Sequence, residues 1–93
     1  MTKEQKEILC RLYNNYDNEA LMYIKNFITE EQRDLYNTIL KLYYKIFGKV
    51  FYPEENLSDE IFEKYNECMW SLLRAFGLEI KEGRAYFEGI FYF

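Results

Sequence analysis

The chain has 93 residues, 49% apolar and 30% charged, with a formal net charge of −4, enough for a single domain, residues 1–93, around one hydrophobic core. The acidic balance argues against direct DNA or RNA binding, which draws on a basic surface to displace counterions from phosphates. There is no histidine, which removes the commonest catalytic base, and no wholly apolar run approaches the roughly twenty residues of a membrane span.

The first thirteen residues, MTKEQKEILCRLY, are charged from the outset and carry no apolar signal core, so a cytoplasmic protein is expected. Thr2 caps a predicted helix over 3–14, with Ile8, Leu9, Leu12, Tyr13 and Tyr16 facing inward at helical spacing. Asn14, Asn15 and Asp17 compete for backbone hydrogen bonds and mark a break. A second helix is predicted over 18–28, burying Ala20, Leu21, Ile24, Phe27 and Ile28. Thr29 followed by Gln32 reads as a capping box that opens a third helix over 30–47, stopped at Gly48. The wide apolar arc of this helix, from Leu35 to Phe47, marks it as central. Its basic residues Lys41, Lys45 and Lys49, with acids Glu30, Glu31 and Asp34 at the other end, complement the helix macrodipole.

The segment KVFY at 49–52 is β-prone and a candidate third strand before Pro53. Ser58 caps a fourth helix over 59–76 that buries Ile61, Phe62, Tyr65, Met69, Leu72, Leu73 and Phe76 and stops at Gly77. The rest of the chain reads as a hairpin, strands 78–81 and 84–93, turning at Gly83, with Gly89 marking a bulge or a close backbone approach. The fold class is α+β, helix-dominated.

Chemistry is hard to place on this sequence. Ser58 is explained as a cap, and Ser71 has no basic neighbour. No P-loop, GxGxxG or HExxH pattern is present, so no catalytic residues and no cofactor are expected. The acids from Glu54 to Glu67 lack the alternation around glycine that a calcium loop needs, so no metal site is expected either. Cys10 and Cys68 stand far apart with no CxxC motif, which suits two reduced thiols better than a disulfide. A helix followed by a hairpin also suggests a winged helix, but carboxylates on the groove-entering face would repel phosphates.

Two features remain. Ten Tyr, eight Phe and one Trp make up 20% of the chain, a load that suits either a core boundary or an interface. The charge is also uneven: residues 50–93 hold four basic against nine acidic residues, while residues 1–49 hold eight against seven. Asp59, Glu63 and Glu67 recur every four residues, with Glu60 beside them. At roughly 100° per residue, Trp70 falls among Glu63, Glu67 and Arg74, away from the buried face. It is either covered by the aromatic C-terminal segment or exposed as an anchor.

The expected site is therefore Asp59, Glu60, Glu63, Glu67, Trp70 and Arg74, meeting a basic protein, with no direct nucleic-acid or membrane contact. Size and charge are those of phage-encoded inhibitors such as anti-CRISPR proteins that mimic nucleic acid. The competing expectation is a homodimer formed through the apolar segment IFYF.

Overall fold

The structure, a computed structural model, describes residues 1–48 and 59–93. The candidate strand at 49–52 and the Ser58 cap lie outside the described residues. Within them are four helices and a three-stranded antiparallel sheet: α1 Lys3–Asn15, α2 Asp17–Ile24, α3 Glu30–Phe47, α4 Asp59–Ala75, β1 Glu79–Lys81, β2 Arg84–Phe87 and β3 Ile90–Phe91. The helix-dominated α+β class holds.

Caps set the helix ends. Thr2 and Gln5 close a capping box on α1, and Thr29 and Gln32 close the same box on α3, each pairing two backbone donors that would otherwise go unmet. At the end of α4 the Gly77 N–H bonds to the Arg74 carbonyl and the Leu78 N–H to the Leu73 carbonyl. This is a Schellman motif, and it needs the positive φ of 92° that Gly77 supplies. Tyr16, with φ −144° and ψ 101°, is the extended residue that separates α1 from α2. The second helix is shorter than its apolar spacing predicts. It ends at Ile24, because the Asn26 and Phe27 N–H groups bond three residues back to Tyr23 and Ile24, and Thr29 must then be extended to cap α3.

The C-terminal segment is a meander, not one hairpin. Glu82–Gly83 and Glu88–Gly89 all have positive φ, as two-residue type I′ turns require. Lys81 pairs with Arg84, and Phe87 with Ile90. Gly89 is thus a second turn rather than a bulge, and the strand expected over 84–93 folds back on itself.

Helix α3 packs on α4, α1 packs on α2 and on β2, and β1 packs on the end of α4. The shared core holds Leu9, Ile24, Ile39, Tyr65, Met69 and Leu72, all essentially sealed from solvent. Two residues expected on the inward face of the first helix are outside, Ile8 at 45% and Tyr16 at 60% exposure, and Phe47 at the end of the α3 arc is exposed as well. For the first helix the reason is that α1 buries a second, polar face against the sheet. Glu7 accepts from the Tyr92 hydroxyl at 3.1 Å, Lys6 lies over the Phe87 ring and Arg11 over the Tyr92 ring. Cys10 is fully buried beside Tyr92.

Asn14 completes that face. Its amide donates to the carbonyls of Ala85 (2.9 Å) and Tyr92 (2.8 Å) and accepts from the Ala85 N–H (2.8 Å). Phe87 and Ile90 close the second turn, and hydrogen-bonded pairs alternate along an antiparallel ladder. Ala85 and Tyr92 would therefore be the next pair to exchange bonds. The Asn14 amide takes that rung, ending β3 at Phe91 and stapling the sheet to α1.

Candidate functional site

Helix α4 separates two kinds of surface. One face buries Tyr65, Met69, Leu72 and Leu73, while Asp59, Glu60, Glu63, Glu67 and Arg74 on the other are exposed. Among the described residues, none of these five takes part in an ion pair. The four carboxylates therefore project from α4 with no close ion pair among the described residues, Lys64 being the one cation at helical-neighbour spacing to Glu60 and Glu67. Phe62, expected in the core, is exposed at their margin.

Trp70 does not stand free among those acids. It is half-buried, and its indole N–H donates to the Tyr13 hydroxyl at 2.7 Å. Tyr13 of α1 meets the indole, so Trp70 is a hydrogen-bonded strut between helices instead of a fully exposed anchor.

That strut leads to a cleft of about 520 Å³. Tyr13, Asn14 and Asp17 line it from the α1–α2 junction, and Arg84, Phe91 and Phe93 line it from the sheet. Asp17 Oδ2 accepts from the buried Tyr65 hydroxyl at 3.1 Å. Burial raises the Asp17 carboxyl above its ordinary range, and the Tyr65 bond opposes part of that rise. Burial likewise pushes up the Tyr13 phenol, against the pull of the Trp70 bond. The Tyr65 phenol rises through burial and the nearby Asp17 charge. Both phenols are thereby held as neutral hydrogen-bonding groups. Among the described residues Asp17 and Arg84 have no ion-pair partner.

One hydrogen bond links the acidic helix to the cleft wall. Glu67 and Arg74 are surface neighbours of Trp70 at helical spacing, and Trp70 bonds to Tyr13 on the cleft wall. Sequence reasoning found the acids but not Tyr13, Asp17, Arg84, Phe91 or Phe93, which come together only through the docking of the sheet on α1. The available signal was the cluster of polar residues at the first helix break, read only as a helix terminator.

Among the described residues no group of three or more acidic or cysteine side chains converges to hold a metal ion. Cys10 and Cys68 are both free thiols. No described helix is long and apolar enough to cross a membrane. Comparison with protein-family models, with curated proteins and with solved structures yields no match.

Proposed function

We propose that the protein is a small noncatalytic protein-binding module whose α4 face docks on a basic, nucleic-acid-handling protein. In this reading it is a phage- or mobile-element-encoded inhibitor, of the anti-CRISPR kind in size and charge, acting in the host cytoplasm as a nucleic-acid mimic. The observation that carries the reading is the unpaired, exposed row Asp59, Glu60, Glu63 and Glu67 on a helix fixed by its buried face. A rise of 1.5 Å per residue places Asp59, Glu63 and Glu67 about 6 Å apart along the axis, on the scale of backbone phosphates. Arg74 sets the polarity of the row, so the partner's cations belong opposite the first turns of α4.

Biolayer interferometry against purified nucleic-acid-handling proteins, RNA-guided nucleases included, tests this. Binding should be displaced by the partner's own nucleic acid, and the combined Glu63→Lys and Glu67→Lys reversal should slow association about tenfold at low salt and flatten its salt dependence. An unchanged association rate in that variant removes α4 from the mechanism.

A second reading rests on the sheet edge. Ile90 is 53% exposed and Phe93 is 78% exposed beside the two-residue strand β3, and an open apolar edge pairs readily with its copy. Ile90→Lys with Phe93→Glu leaves Tyr92 seated on α1. Light scattering should show that pair of changes turning a dimer into a monomer; a monomeric parent chain ends this reading.

A further inference from the structure

The C-terminal aromatic rings follow a pattern. Lys81 lies 5.8 Å from the Tyr86 ring, Lys6 5.8 Å from Phe87, Arg84 5.9 Å from Phe91 and Arg11 5.8 Å from Tyr92. Phe93 is the fifth ring of the series, and among the described residues no cation lies over it. It is 78% exposed, and it lines the same cleft as the Asp17 carboxylate and the Tyr13 ring.

A carboxylate and one largely open aromatic ring, Phe93, in one cleft are the chemistry that recognises a cation. Asp17 has one oxygen engaged by Tyr65, which leaves the other to accept. Its carboxylate is also partly desolvated without a compensating positive charge, so an arriving cation relieves a cost already present in the fold. A planar guanidinium suits this geometry better than an ammonium, because it can stack on a ring while donating in its own plane. The fold already shows a guanidinium at this rim: Arg84 over Phe91.

We infer that the cleft receives one arginine side chain of the protein that docks on α4, its guanidinium stacked on Phe93 and hydrogen-bonded to Asp17. This rests on the protein-binding reading above and deepens it, adding a specific anchor to an electrostatic steering surface. Arg84 enters as a like charge that tempers affinity.

The probe is the capped peptide acetyl-Gly-Arg-Gly-amide, with norleucine and lysine versions as controls, titrated into the whole protein by two-dimensional NMR. Trp70 is the only tryptophan, so its indole N–H, bonded to Tyr13 on the cleft wall, gives a single reporter resonance. The arginine peptide should shift that resonance saturably with a Kd on the order of 1 mM, and the lysine peptide more weakly. Asp17→Asn should weaken binding at least fivefold while the indole resonance keeps its hydrogen-bonded position, which shows the fold intact. Arg84→Gln should leave binding equal or tighter.

No saturable shift, or equal binding of the norleucine peptide, overturns the inference. Weaker binding in Arg84→Gln also overturns it, because Arg84 would then be contributing to the capture of a cation that it should repel as a like charge. Reversal of Glu63 and Glu67 should leave binding of the uncharged-backbone peptide within twofold. Failure of the anchor and failure of the α4 interface are therefore read in separate variants.

Discussion

Removing the Asn14 amide should cost far more than a surface polar substitution. Asn14→Ala deletes three hydrogen bonds of 2.8–2.9 Å and leaves the N–H and carbonyl of the fully buried Ala85 without partners. At about 1 kcal/mol per bond, with about 1 kcal/mol more for each of the two stranded groups, the loss is roughly 5 kcal/mol. A chain of this length has a total stability of roughly 5–14 kcal/mol, so a large share goes with one side chain. In urea, with a slope near 1–1.5 kcal/mol per molar, the unfolding midpoint should fall by about 3 M or more. Asn14→Asp is the sharper perturbation. It keeps an acceptor for the Ala85 N–H but sets a carboxylate oxygen against the two carbonyls that now accept, so it should destabilise at least as much as alanine. A midpoint shift below about 0.5 M in the alanine variant, or an aspartate variant as stable as the parent, would refute the staple.

Two other expectations concern the cleft wall. Burial holds the Asp17 carboxyl above its ordinary value near 3.8, so the native state retains that proton better than the unfolded chain. The stabilisation is fully present below the ordinary value and is lost as pH rises through the raised native one. Asp17→Asn should abolish this dependence, and its stability relative to the parent should grow between about pH 3 and pH 7 in urea titrations; a difference that is flat or shrinks with pH contradicts the assigned burial. Tyr13→Phe and Trp70→Phe each remove the 2.7 Å bond between α1 and α4 and should each cost about 1–2 kcal/mol, with the double variant costing clearly less than their total. Strict additivity in thermal unfolding would mean the two groups do not act as a pair.

What was legible in the sequence was local. The Thr29–Gln32 box and the Gly77 stop are contained within a few consecutive residues, and both appear where their chemistry puts them. The acids of α4 were legible as an exposed row because helical periodicity alone separates them from Met69 and Leu72. What stayed hidden was long-range. Asn14 looks like a helix terminator until a strand 71 residues away supplies the groups its amide pairs with. Ile8 looks like core until Lys6, Cys10 and Asn14 claim the sheet-facing side of α1. Trp70 stays open in sequence between a covered ring and an anchor, because nothing near it in the chain reveals the Tyr13 hydroxyl. Gly89 was misread through a local signal that was present: the dipeptide Glu-Gly occurs twice, six residues apart, and both copies are turns.

The seating of Tyr92 along Glu7, Cys10, Arg11 and Asn14 has a kinetic consequence. The hydrogen bonds between α1 and the sheet span 71 to 85 residues of chain, whereas α3 and α4 are near neighbours in sequence. Loop-closure entropy is met before such distant contacts return anything, and rates fall as contacts grow less local. The α3–α4 pair therefore has the topology to assemble early, with the meander docking last. Substitutions at Asn14 or Tyr92 should accordingly act mainly on the unfolding rate, leaving refolding little changed. The cleft, built from both sides of that late contact, would be the last surface the chain acquires.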